Sequence, residues 1–484
     1  MNLNNAHILV RLSPSHHALT FSWLDDALVV THDIDKAKGS RQSKSHHIPR
    51  EHVLRVAFDS KNGTLTVAYL RPKKKKKGPH LVVLNGVVQE DAWEATATWA
   101  QSVMKVVYDD NGIKPFRRLL VFVNPHGGSG NGVSIFNKIV QPTLQAAGCS
   151  LKVVHTDRQG HALDIVKTME LEYDAIVTVS GDGLVHEVLN GLAQHPTPVK
   201  ALGTPVAPIP AGSGNGLALN LLGIKHGFDP AMASLNAVKG KPMRTDLFSL
   251  VQDGKRSISF MSQSLGLMAD LDLETEHLRW MGDTRFMYGF LRGVLAFEPC
   301  PVQLSVKIAE KDKDKMAEAA YARNQTPFPS SKDAEAGSPS ALPSLKYLPD
   351  DEEGWYTLEE PVLFVYAGQG PYVGRDYMAF PVSLPDDGLV DVLAMPLSSR
   401  KDTLSNITTG PSGESFWFPK LHYFKAYAYR VKTLSNKGNL SVDGERFPFK
   451  EYQVEVHPRL GTLLSLHGRY VTDFKPRTVE NLKA

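Results

Sequence analysis

Cysteine is almost missing from this chain: two residues, Cys149 and Cys300, in 484. Two cannot build a disulfide framework or a cysteine zinc site, and they suit a reducing cytosol. Also lacking is any apolar run near the roughly 18 residues that a membrane-spanning helix requires. The opening MNLNNAHILVRLSPSHH has no apolar core, so no signal peptide is expected, and the sequon at Asn406 reads as a chance match. Nor is there an excess of one charge. The formal net charge is +3, and five positive charges fall in one run, Lys73–Lys77. The rest is near neutral, which argues against a general nucleic-acid binder. A meeting with a membrane is therefore expected to be peripheral. What is present is ordinary for a globular protein, 42% hydrophobic and 22% charged residues, and the length suits two or three domains.

Residues 1–110 hold the apolar runs HILVRL, LTFSWL, ALVVTH, HVLRVAF and TLTVAYL, separated by turn residues. Residues 90–107 then place Trp93, Ala97, Ala100, Met104 and Val107 at helical spacing. A small β-barrel capped by a C-terminal helix would bury that stripe, and core packing accounts for Trp93 and Trp99. The element order resembles a pleckstrin-homology-type (PH-like) module. The loop 71–78, RPKKKKKG, reads either as a solvated hairpin tip or as a dock for anionic lipid.

From Arg117 the texture changes. Strands are predicted at 118–123, 152–156, 175–180 and 206–210, with helices near 133–147, 161–171, 184–194 and 216–222. The alternation implies a parallel sheet in an α/β domain over 115–245, with ligands at the carboxyl ends of its strands. After 245 the runs read as a mostly antiparallel β-sandwich domain, 246–484, interrupted by helices near 273–281 and 285–297. Residues 311–354 carry KDKDK, a Ser/Pro/Ala stretch and DDEE, a composition that predicts a disordered insertion.

Three glycine loops follow three of these strands: NPHGGSGNG (124–132), SGDG (180–183) and PAGSGNGLA (210–218). None has the Lys-Ser/Thr of a P-loop. None is a G-x-G-x-x-G, because Val133 and Leu217 stand where the last glycine belongs. One such loop is a tight turn; three in succession on one sheet point to a polyphosphate site. Asp182 sits between two of these glycines, an anion inside an anion site. It cannot hold phosphate, so it reads as a base or as a group acting through a metal, which is the chemistry of phosphoryl transfer. The first loop has no Lys or Arg, so positive charge must come from elsewhere.

The trio resembles the catalytic domain shared by diacylglycerol kinases and sphingosine kinases. SGDGLVHEVLNGL (180–192), PAGSGNGLA, TDLFSL (245–250), ADLDLETEHLRWMGDTRF (269–286), PDDGLVDV (385–392) and SVDGE (441–445) look like the sphingosine kinase forms. The likeness covers about 118–308 and 360–470 and leaves out the first 110 residues. It implies a nucleotide-binding α/β domain packed on a lipid-binding β-sandwich domain. It implies ATP and Mg²⁺ as cofactors, a sphingoid long-chain base as substrate, a peripheral membrane setting and no nucleic acid; a homodimer is left open.

Carried over residue by residue, the resemblance makes Asp182 the base for the lipid's primary hydroxyl. Asn124, Gly127, Gly128, Thr156, Ser180, Gly181, Gly183, Ser213, Gly214 and Asn215 would meet nucleotide. Arg279 and Arg285 would reach the phosphates, and Asp443, Gly444 and Glu445 would close the phosphate and metal end. Asp272 would bind the ammonium of the base, with Ser262 and Glu276 nearby. A carboxylate in an acyl-chain tunnel is costly unless a cation meets it, and ceramide and diacylglycerol offer none. Asp270 and Asp272 would share a face if that segment were extended. For His186 and Glu187 an orienting role and a solvated helix face both stay open. Leu265, Leu267, Met268, Phe286, Met287, Phe290 and Leu291 fit a lipid tunnel and plain core equally. His126, Ser129 and Asn131 stand where the family often has basic residues, and Arg158 is a candidate to compensate. The competing readings are a ceramide or diacylglycerol kinase, a catalytically silent lipid-binding adaptor and a soluble NAD-kinase-type enzyme.

Overall fold

The computed structural model describes residues 7–12, 18–34, 42–72, 78–128, 130–275, 284–325, 341–347, 351–397 and 399–477. Lys73–Lys77 lie outside them. Two compact units divide the chain. One comprises Met1–Leu119, Ser134–Lys152 and Asp229–Lys241; the other comprises Leu120–Val133, Val153–Phe228 and Pro242–Ala484.

The first unit opens with β1 (Ile8–Leu12), β2 (Ala18–Leu24), β3 (Ala27–Ile34), β4 (Gln42–Pro49), β5 (Val53–Asp59), β6 (Thr64–Arg71) and β7 (His80–Val87). They form one sheet in the order β4-β3-β2-β1-β7-β6-β5. The polar β4, QSKSHHIP, has no apolar pattern to betray it; β3 recruits it edge to edge, from Ala27↔Pro49 to Ile34↔Gln42. Helix α1 (Trp93–Val107) buries Thr96, Trp99, Ala100, Val103 and Val107, a stripe at helical spacing. The stripe is rotated from the expected one, leaving Ala97 and Met104 half-buried. Trp99 is 1% exposed, the packing role expected of it.

The chain then alternates strand and helix. β8 (Arg118–Val123) leads to α2 (Gly132–Ile135), a π turn (Phe136–Val140) and α3 (Gln141–Ala146). There follow β9 (Ser150–His155), α4 (His161–Val166), β10 (Ala175–Ser180), α5 (Asp182–Ala193), α6 (Pro198–Leu202), β11 (Val206–Pro210), α7 (Gly216–His226) and α8 (Pro230–Lys239). The strand order is β9-β8-β10-β11. Every residue of β10 and β11 is buried, which is why both read as unbroken apolar runs. They run parallel with Ser180 level with Pro210, so the second and third glycine loops leave from the same edge.

The remaining strands are β12 (Lys241–Gln252), β13 (Lys255–Ser259), β14 (Ser262–Gly266), β15 (Val302–Glu310), β16 (Tyr356–Leu358), β17 (Val362–Gly368), β18 (Val390–Pro396), β19 (His422–Thr433), β20 (Leu440–Val442), β21 (Glu445–Phe447) and β22 (Tyr452–Ser465). Between them lie α9 (Leu267–Leu273), α10 (Thr284–Ala296), α11 (Lys313–Gln325) and α12 (Arg400–Thr408). The path β21-β20-β14-β17-β18-β19-β22 continues directly into β11. β22 makes the join: its first half pairs antiparallel with β19, and Leu463 pairs parallel with Val206 of β11. Asp246 of TDLFSL pins the middle of β22 and the PDDG turn together, accepting from Arg459 N at 2.7 Å and Gly388 N at 2.6 Å.

Core lies on both faces of β17 and β18. Val365 and Val392 join a cluster with Phe248, Tyr429 and Val454, while their neighbours Phe364 and Leu393 join Met268, Phe290, Phe380 and Phe416. The expectation of disorder over 311–354 is corrected in part. α11 falls inside it and sends Met316, Ala317 and Ala320 into the second cluster. Further along, the amides of Lys346 and Tyr347 donate to Glu455 at 2.9 and 3.1 Å. Small residues that carry little hydrophobic pattern fill that helix face.

Candidate active site

The three glycine loops touch one another through bare backbone. A Cβ on Gly212 would meet Gly181 Cα and N at 2.4 Å, and one on Gly181 would meet Gly214 O at 2.5 Å. A Cβ on Gly128, whose φ is +57°, would meet Gly212 C at 2.8 Å. These glycines are therefore demanded by loop-on-loop contact as well as by room for a ligand. Asn215 closes its own turn, donating to Gly212 O at 2.8 Å and accepting from Gly212 N at 3.2 Å. Asn124 accepts from His126 N at 2.9 Å and so shapes the first loop.

Asp182 is the first residue of α5 and is 7% exposed. Its Oδ2 accepts from Gly216 N at 2.6 Å and its Oδ1 from Leu217 N at 3.2 Å, so the third loop and α7 hold it. Burial pushes its pKa up to about 6; the two amide bonds pull against this, and the charges of Asp443 and Asp272 add to it. The group is a carboxylate at neutral pH, yet one that accepts a proton far more readily than an exposed aspartate.

Asp443 occupies the turn between β20 and β21 at φ +52° and is 1% exposed. Its Oδ1 accepts from Ser259 Oγ at 2.8 Å and from the amides of Met261 and Ser262 at 2.9 Å. Its Oδ2 accepts from Phe260 N at 3.2 Å and meets His186 Nδ1 at 2.8 Å. His186 lies one helical turn after Asp182 and also meets Asn190, which exchanges hydrogen bonds with the Ile258 backbone. Of the two roles left open for His186, the solvated face is thus excluded, since its side chain is 13% exposed. Glu187 accepts from Ala162 N at 3.2 Å.

Glu445 starts β21, and its Oε1 lies where a Cβ on Gly183 would be, 2.5 Å from that point. Its Oε2 accepts from Gln159 at 3.1 Å. Asp272 lies on α9, not in an extended segment, so it and Asp270 do not share a face. Asp270 takes Asn439 at 2.7 Å, whereas Asp272 takes Ser441 Oγ at 2.5 Å.

One cavity of about 740 Å³ connects these groups. All three glycine loops, Thr156, Arg158 and Glu445 line it, as do Asp182, Ser262 and Asp272. Met268, Leu271, Phe290, Tyr366, Val373 and Tyr377 supply an apolar wall. Three glycine loops and a greasy wall in one cavity, with Asp182 buried and Asp272 half-buried, suit transfer between a charged donor and an amphiphile.

The diacylglycerol kinase catalytic domain matches residues 118–250. Sphingoid long chain base kinase 4 of Schizosaccharomyces pombe is 32% identical over 406 residues, 81% of this chain and 85% of the relative. The chain belongs to the sphingoid long-chain base kinases. Sphingosine kinase 2 of Homo sapiens is 29% identical over 464 residues, 72% of this chain and 71% of the relative. A crystal structure of a diacylglycerol kinase from Bacillus anthracis str. Sterne aligns over 73% of this chain and 98% of its own, at TM-score 0.46 and 19% identity.

Within this family member, the cavity gathers Asp182, the residues of the three loops, Ser262, Asp272, Asp443, Gly444 and Glu445. Glu276 and Arg279 lie outside the described residues. Arg285 falls in α10, and nothing further is described of its side chain. Among the lipid-tunnel candidates, Met268 and Phe290 line the cavity and are also core, whereas Leu265 and Leu267 are core. Arg158 does line the cavity, and it pairs with Asp164 at 2.9 Å. Sequence reasoning missed Arg375, Tyr366 and Tyr377. They come from a strand and a turn with no motif, and only the fold brings them to the cavity.

Proposed function

We propose that the chain transfers the γ-phosphoryl group of ATP to the primary hydroxyl of a sphingoid long-chain base. The observation that carries this is the shared cavity: Asp182 stands at the glycine loops, and Asp272 stands beside the apolar wall. Asp182 takes the hydroxyl proton as the oxygen attacks the γ-phosphorus, and the bond to the β-phosphate oxygen breaks to release ADP. Each carboxylate oxygen of Asp182 accepts one amide and keeps a lone pair for that proton. Asp272 receives the substrate ammonium, the partner that makes a carboxylate tolerable beside apolar groups.

Mg²⁺ wants one or two carboxylates together with phosphate oxygens. Glu445 fits, since the missing Cβ of Gly183 leaves its carboxylate room at the second loop. The ion would offset phosphate charge there. Asp443 fits poorly as a ligand, because five protein donors already take its oxygens. Arg158, Arg279 and Arg285 supply positive charge that the loops lack.

Among the described residues no helix is long and apolar enough to cross a membrane. Residues 1–110, taken as a PH-like module with Lys73–Lys77, would hold the enzyme on anionic lipid where its substrate resides. The deciding assay offers labelled ATP with sphingosine, phytosphingosine, ceramide or diacylglycerol in detergent micelles. Label on the two amine-bearing lipids alone is the expected result. Equal label on ceramide or diacylglycerol would remove the role of Asp272.

A further inference from the structure

The acceptor end of the cavity holds more hydrogen-bonding groups than a dihydroxy long-chain base can use. Such a base offers a 1-hydroxyl, a 2-ammonium and a 3-hydroxyl. On the reading above, Asp182 takes the first, Asp272 the second and Ser262 is at hand for the third. Two tyrosines, Tyr366 and Tyr377, remain on a wall that is otherwise apolar.

Tyr366 is on β17, on the same face as Phe364, and its ring meets Phe380 edge-on with centroids 5.4 Å apart. Its hydroxyl shares a hydrogen bond with the Ser262 side chain. Burial pushes this phenol above its ordinary pKa and the Asp272 carboxylate adds to the rise, so the two groups are close enough to interact. With one hydrogen bond spent on Ser262, the phenol keeps capacity for another.

Tyr377 comes from the turn 373–377, where Val373 N donates to Tyr377 O at 3.2 Å. Its ring is set against Gly410, where a Cβ would meet Cδ2 at 2.5 Å. The Tyr377 hydroxyl is buried and has no hydrogen-bond partner among the described residues. An unmet buried hydroxyl is costly, which makes it a place to look for a missing partner. Both tyrosines line the cavity, and Tyr377 lies near enough to perturb Tyr366.

Resting on the long-chain-base reading, we propose that Tyr366 and Tyr377 make this site select a base that carries a further hydroxyl on C4. The saturated chain without that hydroxyl leaves the Tyr377 oxygen unmet. The 4,5-unsaturated chain does the same. Past this point the wall of Met268, Leu271 and Phe290 offers only apolar contact, so discrimination falls on the first carbons of the chain.

The test measures kcat/KM of the full chain for phytosphingosine, dihydrosphingosine and sphingosine in the same mixed micelles. Wild type should favour the 4-hydroxylated base by about 3- to 10-fold, the worth of one net hydrogen bond. Tyr366→Phe and Tyr377→Phe should each bring that ratio toward one while KM for ATP holds. Both keep the ring, and the double variant should reach one if either single change is only partial. A wild-type ratio of one or less would overturn the proposal. So would a ratio that neither variant moves. Phosphorylation of none of the three bases would instead overturn the long-chain-base reading itself, and this proposal with it.

Discussion

His186 Nδ1 stands 2.8 Å from Asp443 Oδ2, across 257 residues of chain. The contact ties the helix that carries Asp182 to the turn that leads into Glu445. Burial pushes the imidazole down, but the hydrogen bond and charge of Asp443, with Glu445 and Glu187, push it further up, so its pKa is raised overall. A raised histidine stabilises most fully below its ordinary value near 6.5, and that contribution fades as pH climbs through the raised value. His186→Ala should lower kcat by about 10- to 100-fold with little change in KM for ATP, as expected for a displaced base. Thermal melts should show its stability deficit shrinking at alkaline pH; a constant deficit would reduce the histidine to packing.

Asp443→Asn keeps one acceptor oxygen where two served five donors. Each donor left unmet costs roughly 1–3 kcal/mol, so the melting temperature should fall clearly. Excess Mg²⁺ should not restore activity to this variant. Restoration would make Asp443 a metal ligand after all.

The acid side of the pH profile should report Asp182. Its pKa of about 6 means that kcat/KM falls as pH drops below that value and the base becomes protonated. For stability the sign is reversed from that of an ion-paired aspartate. A raised carboxyl pKa disfavours the folded state above pH 6, and this cost is relieved as pH falls toward 3.8. Asp182→Asn should therefore abolish turnover while melting near the wild-type temperature, because relief of the buried charge, worth about 1–3 kcal/mol, is set against one backbone amide left facing the new side-chain NH2. A large loss of stability would mean that its bonds to Gly216 and Leu217 matter more than its buried charge.

Much of the sheet beneath this site is legible in the sequence. Strands buried on both faces announce themselves as continuous apolar runs, and β8, β10 and β11 fall where the runs 118–123, 175–180 and 206–210 put them. The glycine clusters at their ends meet in one cavity. Other features depend on distant partners and leave no local signal. β4 is polar and is recruited by its neighbour. β22 joins parallel and antiparallel strands at Leu463, which no pattern of alternation reveals. Asp270 and Asp272 read as an extended pair because two-residue spacing is ambiguous, and the helix sends them to Asn439 and Ser441. Asp443 carries no hint in sequence that its charge would be spent on the backbone amides of Phe260, Met261 and Ser262, where β13 gives way to β14.

Gly212→Ala probes the loop contact directly. The new methyl would overlap Gly181 at 2.4 Å, and backbone rather than a flexible side chain stands in the way. One loop must move, and the amides that face the cavity move with it. Nucleotide binding, followed by calorimetry with a non-hydrolysable ATP analogue, should weaken by at least about tenfold, or roughly 1.4 kcal/mol. Gly214→Ala, in the same loop and with only Asp182 Oδ2 near its Cβ at an ordinary 3.7 Å, serves as the comparison. Equal losses in both would trace the effect to loop stiffness instead of collision.

Asp272 and Asp182 are coupled by charge, which allows a test that a simple binding role would not pass. Asp272 is one of the groups that raise the pKa of Asp182. Asp272→Asn removes that repulsion while keeping size and one acceptor for Ser441. The acid limb of kcat/KM should then shift to lower pH, by less than one unit, because burial is the larger cause. At the same time KM for a long-chain base should rise about 10-fold or more, with KM for ATP little changed, since only the lipid brings an ammonium. A raised lipid KM with an unmoved acid limb would keep amine recognition and break the link to the base. A moved limb with an unchanged lipid KM would leave Asp272 as an electrostatic neighbour and return the ammonium to another acid.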